Sequence, residues 1–184
     1  MYKRQEYREL WGDIPIVLCS EENYLGPQET YTKKQAIATA DRTPLTQLAD
    51  PYNMVLLYSN LYLDENIQLI CHIVPEIKKF IFIGDARQIN QTNNLDIRNK
   101  LKKTHPNVEY QFITPQDMTT NQLLDSLYFV DPKTTGVLFS SWFYKTTFAG
   151  NTSLVSNAHK LIGTTAAPIF TLNMADITEE NGGM

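Results

Sequence analysis

The clearest hydrophobic pattern in the chain covers residues 54–85 and predicts a strand, a helix and a second strand. The helix opens at residues 64–66, Asp-Glu-Asn, whose acidic side chains suit the partial positive charge of a helix N-terminus. Pro75 ends it. Residues 80–83 are then continuously apolar, as expected of a parallel strand that helices cover on both faces. The apolar face of the helix consists of Ile67, Leu69, Ile70, Ile73, Val74 and Ile77.

Elsewhere the pattern alternates between apolar runs and helical periodicity. The apolar runs predict buried strands at residues 14–19, 108–113, 136–140 and 168–172. The helical spacing predicts helices at residues 2–10, 92–103, 120–128 and 152–162, the third capped by Thr119 or Thr120. Such alternation with short connections predicts an α/β fold, a doubly wound, mostly parallel sheet with helices on both faces.

Residues 20–51 interrupt this alternation with a long polar passage that contains Gly26-Pro27. A connection of that length is unusual inside a compact domain. We therefore expect either a functional segment or a connection between two lobes.

Composition and charge narrow the class of protein. The chain has 184 residues, 42% of them hydrophobic, enough for one cored domain or one domain plus part of a second. Its net charge of −4, with Lys and Arg only in short groups, gives no electrostatic footprint for nucleic acid. No apolar run reaches the roughly 20 residues of a membrane span, and the N-terminus lacks the apolar core of a signal peptide. The sequence thus predicts a cytoplasmic protein, or one whose targeting segment lies outside these residues.

Cysteine and histidine residues predict neither a disulfide nor a metal site. Cys19 and Cys71 fall on an apolar strand and an apolar helix face, which favours two small buried side chains over a disulfide. His72, His105 and His159 share no metal-ligand spacing. No phosphate-binding glycine motif is present, so no cofactor is predicted.

Candidate chemistry lies at the carboxyl ends of the predicted strands, where open α/β sheets bind ligands. Four polar segments follow strands, namely Ser59-Asn60, Gly84-Asp85-Ala86-Arg87, Ser140-Ser141-Trp142 and Asn173-Met174-Ala175-Asp176. The run FIFIGDA is similar to the Gly-Asp-Ser block of lipase-like hydrolases, but Ala86 replaces the nucleophilic serine. No G-x-S-x-G motif surrounds Ser140 or Ser141, so no catalytic residue is predicted.

Two of these residues carry open alternatives. Trp142 begins a run of three aromatic residues at a strand end, which either covers a ligand or a neighbouring lobe, or caps the core. The carboxylate of Asp85 either contacts a ligand or caps the following turn or helix.

The order of four segments resembles a known family of bacterial sensors. The segments are IPIVLCSEENYLG, LYLDENIQLICHIVPEIKKFIFIGD, LLDSLYFVDPKTTGVLFSSWF and APIFTLNM, which together extend over residues 14–174. They resemble the periplasmic-binding-protein-like sensor region of bacterial membrane histidine kinases, especially the hybrid two-component receptors of Bacteroides-type bacteria. They are similar also to the substrate-binding proteins of ABC transporters.

This resemblance implies a type I periplasmic-binding-protein-like lobe and a role without catalysis. Residues 1–52 would be the end of a first lobe plus a long connecting loop, and residues 53–184 a second α/β lobe. The chain would be a fragment of a periplasmic receptor that binds a small molecule in an interlobe cleft. Its partners would be the missing first lobe, a membrane-attached kinase region and, in a homodimer, a second copy. The expected ligand-binding residues are Ser59, Tyr62, Asn66, Asp85, Ser140, Trp142 and Asn173.

Three alternatives stay open. The chain could be a free solute-binding protein that serves an ABC transporter. It could be a small serine hydrolase that uses Ser140 or Ser141 with His159. It could also act through dimer contacts made by an exposed hydrophobic surface.

Overall fold

A computed structural model describes residues 14–49, 53–58, 60–148, 151–156, 168–172 and 182–183. The chain forms two compact units. The first comprises Met1–Glu29 and Ile37–Asn60, and the second comprises Thr30–Ala36 and Leu61–Met184. No helix among the described residues is long and apolar enough to cross a membrane.

The first unit contains a parallel strand pair and a short antiparallel one. Strand β1 (Ile16–Ser20) pairs in parallel with β4 (Met54–Tyr58). Strand β2 (Tyr24–Leu25) pairs antiparallel with β3 (Thr43–Pro44). A 3-10 helix (Thr39–Asp41) and helix α2 (Thr46–Ala49) flank β3, whereas helix α1 (Gln28–Lys33) starts in the first unit and has most of its residues in the second.

Strand β1 confirms the predicted strand but not its predicted burial. Its residues alternate between half-buried and exposed, and the side chain of Val17 is 62% exposed. Val55 and Leu57 of β4 lie on the same face and are also more than half exposed. Cys19, expected to be buried, is exposed on that face as well. An apolar run marks a strand, but it does not reveal whether one face or both faces will be covered.

The second unit contains a parallel five-stranded sheet in the order β6-β5-β7-β10-β11. Its strands are β5 (Lys79–Ile83), β6 (Glu109–Ile113), β7 (Thr135–Phe139), β10 (Ile169–Thr171) and β11 (Gly182–Gly183). The helices of this unit are α3 (Leu63–Ile73), α4 (Gln88–Thr104) and α5 (Thr120–Tyr128). An antiparallel pair, β8 (Phe143–Phe148) and β9 (Asn151–Ser156), stands outside the sheet.

Helices cover both faces of this sheet, so the predicted α/β fold is confirmed. Phe80 and Phe82 of β5 pack in one core cluster with residues of α3 and α4. Ile81 and Ile83 point to the other face and pack with residues of α5. Alternate side chains of one strand thus enter two cores, which explains why the whole run is apolar.

Two helix predictions need correction. Residues 152–156 were expected to be helical, but they belong to β9, and their composition of Thr, Ser, Leu and Val suits a strand. The rest of that predicted helix, and the helix predicted at residues 2–10, lie outside the described residues. Helix α4 begins at Gln88, earlier than the expected residue 92, because its first turns bury polar residues that an apolar pattern does not reveal.

Candidate functional site

The sheet reverses its direction of growth between β5 and β7. From β5 the chain passes through α4 to β6 on one side, and then through α5 to β7 on the other side of β5. The connections therefore diverge from the carboxyl ends of β5 and β7. Open α/β sheets bind ligands in the crevice that forms at such a point. Asp85 follows β5 here, and Ser140 and Ser141 follow β7.

Asp85 is the centre of a buried hydrogen-bond network at this edge. Its side chain is almost completely buried, with 2% of the residue exposed. The Ser141 hydroxyl donates to Asp85 Oδ2 at 2.8 Å, and Asn90 Nδ2 donates to Oδ1 at 3.0 Å. The backbone N–H of Arg87 donates to Oδ1 at 2.9 Å, and Arg87 Nε lies 3.0 and 2.9 Å from the two carboxylate oxygens. Both oxygens of the buried charge therefore have donors, as a buried carboxylate requires.

Asn90 connects the ends of the two strands. It lies in the first turn of α4 and is fully buried. Its Nδ2 also donates to Ser141 Oγ at 2.9 Å, and its Oδ1 accepts from the Ser140 hydroxyl at 2.7 Å. Gly84 makes room for it, because a Cβ atom at position 84 would lie 3.0 Å from Asn90 Cγ. The strand ends and the start of α4 thus form one polar unit.

This network is suited to positioning the groups attached to it. The hydroxyl of Ser141 donates to the carboxylate of Asp85, and the hydroxyl of Ser140 donates to the side-chain carbonyl of Asn90. Its charged member is shielded from solvent and paired with Arg87. A satisfied buried network of this kind rigidifies the groups attached to it.

Arg87 is the member of the network that reaches solvent. Its side chain is 48% exposed, and its guanidinium carbon lies 4.9 Å from the centre of the Phe143 ring. The carboxylate of Asp85 holds Nε, whereas no hydrogen bond in the described part of the chain uses the two terminal Nη groups. The planar cation is therefore fixed from two sides, and both terminal amino groups of the guanidinium are still available to a ligand.

The predicted site residues separate into several environments. The structure brings Asp85 and Ser140 together through Asn90. Trp142 is fully buried in the core on the α5 face, and its indole N–H donates to Thr120 Oγ1 at 3.0 Å. The sequence left open whether Trp142 covers a ligand or a neighbouring lobe, or caps the core. Its buried position corresponds to a cap on the core.

Tyr62 and Asn66 belong to the start of α3. Asn66 is buried, and its Nδ2 donates to the carbonyl oxygen of Tyr62 at 3.0 Å. Tyr62 is partly exposed and has a left-handed backbone with φ of 44°. Ser59 and Asn173 lie outside the described residues.

Sequence reasoning left Arg87, Asn90 and Ser141 out of the expected site. Arg87 and Ser141 were visible at strand ends, but nothing local distinguished them from turn residues. Asn90 lies in the amide-rich stretch QINQTNN that opens α4 directly after the acid of β5. The sequence did carry one signal for Asn90. Its amide side chain lies in the first turn of a helix, shortly after an acidic residue at the end of a strand.

No three His, Cys, Asp or Glu side chains among the described residues are grouped so that they could hold a metal ion.

Comparison of the chain with protein-family models, with curated proteins and with solved structures found no match.

Proposed function

We propose that this chain is the ligand-sensing region of a bacterial membrane sensor histidine kinase, located in the periplasm and of the periplasmic-binding-protein-like type. It binds a small molecule at the carboxyl edge of the sheet in the second unit. The sensor role rests on the order of segments described above. The binding role rests on one observation, the exposed guanidinium of Arg87 held by a buried network.

The arrangement of Arg87 favours a ligand with oxygen acceptors, such as a carboxylate or the hydroxyl groups of a sugar. Asp85 and the ring of Phe143 restrict the guanidinium before any ligand arrives. Binding therefore loses less side-chain entropy than it would with a freely rotating arginine. Paired donors on a planar cation also match two acceptor oxygens at once.

In this proposal the ligand acts by shifting a conformational equilibrium. A ligand that contacts Arg87 in only one conformer stabilises that conformer by its differential affinity. The kinase region of the parent protein would respond to the changed population.

Ligand binding is tested by calorimetry with a panel of monosaccharides, sugar acids, amino acids and nucleosides. For a compound that binds, we expect Arg87→Gln to weaken affinity about tenfold or more, because the charged, paired donors of the guanidinium are lost. Lys103→Gln, which removes another exposed cation from the same sheet-flanking helix, is the control and should leave affinity unchanged. Equal affinity in both variants, or no binder in the panel at millimolar concentration, would refute the site.

The sensor role has a separate test. The reading frame that surrounds this sequence should encode a membrane span and histidine kinase motifs. A neighbouring transporter operon with no kinase would contradict the sensor role while leaving the ligand site intact.

A further inference from the structure

Strand β6 is an edge of the five-stranded sheet and has an unpaired side. The backbone N–H of Glu109 donates to the carbonyl of Lys78 at 2.8 Å, and Gly84 N–H donates to the carbonyl of Ile113 at 3.1 Å. Because neighbouring residues of a strand point in opposite directions, the backbone groups of Tyr110 and Phe112 point away from β5. No strand in the described part of the chain pairs with that side. Such an edge is a template for an added strand.

A groove of about 430 Å³ runs beside this edge, between α4 and the side chains of β6. Its apolar floor includes Leu101 from α4 and Val108, Tyr110 and Phe112 from the strand side. The phenol of Tyr110 donates to Asn94 Oδ1 at 2.8 Å, which fixes the ring. Burial raises the pKa of Tyr110, as expected for a desolvated phenol, so the groove wall stays neutral.

The helix side of the groove is basic although the whole chain is acidic. Arg98 and Lys102 line it and are exposed, and neither forms an ion pair within the described ranges. They stand four residues apart on α4, where like charges destabilise a helix by a few tenths of a kcal/mol. The C-terminal end of the helix favours Lys102 but not Arg98, which lies outside the last turn. Stabilisation of the helix therefore does not explain why both Arg98 and Lys102 carry a positive charge.

We propose that β6 and this groove bind an extended acidic peptide segment of a partner protein as an added strand. The peptide pairs its backbone with the outward groups of Tyr110 and Phe112. Every second side chain of the peptide points to the groove, and along that face an apolar side chain packs against Leu101 while acidic side chains meet Arg98 and Lys102. Strand addition of this kind takes affinity from main-chain hydrogen bonds and specificity from alternate side chains.

A second copy of the chain fits this edge less well. Two-fold antiparallel pairing of β6 with its own copy would set the two α4 helices side by side on one face of the joined sheet. Arg98 and Lys102 of one copy would then approach the same cations of the other. Like-charge juxtaposition of this kind opposes association, whereas an acidic partner is attracted.

The test is selection of a surface-displayed library of random 12-residue peptides against the intact chain. We expect the selected peptides to carry Asp or Glu two residues away from an apolar residue, so that both side chains point to the groove. The leading peptide, measured by fluorescence anisotropy, should lose at least tenfold in affinity for the double variant Arg98→Gln, Lys102→Gln. Methylation of alternate backbone nitrogens in that peptide should cause a similar loss, because it removes the strand hydrogen bonds without altering the protein.

The control is Lys133→Gln, an exposed cation in the turn before β7, which should leave affinity unchanged. Selected peptides without acidic enrichment, or peptides that bind the double variant or tolerate methylation equally well, would overturn the proposal. A concentration-dependent dimer that competes with the peptide would overturn it in favour of a second copy. None of these results depends on the small-molecule site at Arg87, so the two proposals fail separately.

Discussion

Two parallel strand pairs of this protein are both rich in apolar residues but lie in different environments. Strands β1 and β4 read IVLCS and MVLLY, and β5 and β7 read KFIFI and TGVLF. In the second pair every residue except Lys79 is buried, whereas alternate residues of the first pair are exposed. Apolar composition alone therefore predicts a strand equally well in both places. The number of covered faces depends on the helices that pack there.

An acidic residue follows the first strand of each pair, and the two carboxylates differ in their hydrogen-bond partners. Asp85 has donors on both carboxylate oxygens. Glu22, which follows β1, has a buried Oε1 atom without a hydrogen-bond partner in the described part of the chain. Burial raises the pKa of Glu22, and a hydrogen bond from Tyr24 and the charge of Arg42 only partly oppose that rise. A buried carboxylate is thus stabilised by its partners and not by its position after a strand.

The largest expected contrast is between core substitutions in the two strand pairs. Phe82→Ala should lower the free energy of unfolding by about 3–5 kcal/mol, because the fully buried ring leaves a cavity. Val17→Ala should lower it by less than about 0.5 kcal/mol, because that side chain is mostly exposed. Urea unfolding followed by circular dichroism measures both. Equal losses would mean that the exposed face of β1 is covered in solution.

Removal of Asp85 should have the next largest effect. Asp85→Ala leaves Asn90 and Ser141 with buried donors that have lost an acceptor and releases the half-exposed Arg87, and should cost about 2–3 kcal/mol. The matched change Ser141→Ala removes one donor to the carboxylate and should cost about 1 kcal/mol. The same unfolding assay compares them. A cost for Asp85→Ala no greater than that for Ser141→Ala would show that the network is not organised around the carboxylate.

We expect the substitution Glu22→Gln to stabilise the folded protein slightly, by an amount that depends on pH. Because its pKa is raised on folding, the folded state disfavours the charged form, and stability present below the unfolded pKa is lost as pH rises through the folded pKa. Glu22→Gln should therefore melt at a slightly higher temperature than the parent chain at pH 7. The difference should disappear below about pH 4, where the carboxyl is protonated in both states. A lower melting temperature at pH 7 would mean that Arg42 stabilises the charged form.

The smallest contrast concerns the two cysteines and involves no change in stability. Cys19 on β1 is exposed, whereas Cys71 on α3 is half-buried, and burial raises the pKa of its thiol. Because the thiolate is the reactive form, a disulfide reagent at pH 8 should label Cys19 in a fast phase and Cys71 in a slow one. Cys71→Ser should remove the slow phase only. A single phase of two equivalents would contradict the difference in burial.

Local patterns predicted most elements of the second unit. The apolar runs located β5, β6 and β7, and Thr119 caps α5 as one of the two expected residues, with Gln122 completing a capping box. The pattern failed at β9, where residues expected to be helical pair with β8 and their composition suits a strand. It also missed the first turn of α4, where Asn90 is buried because it serves the network and not the hydrophobic core.

The sequence by itself determined where strands and helices form and that polar residues follow the strands, because these depend on neighbours along the chain. Only the tertiary structure decided which faces are covered and that Asp85 meets Ser141, 56 residues further along the chain. Strand order brings those two residues together, and strand order is set by how the helices pack. For the same reason the position of β6 at the edge of the sheet formed by the described strands became visible only when the strands were ordered. Backbone pairing joins distant residues, and no local pattern specifies it.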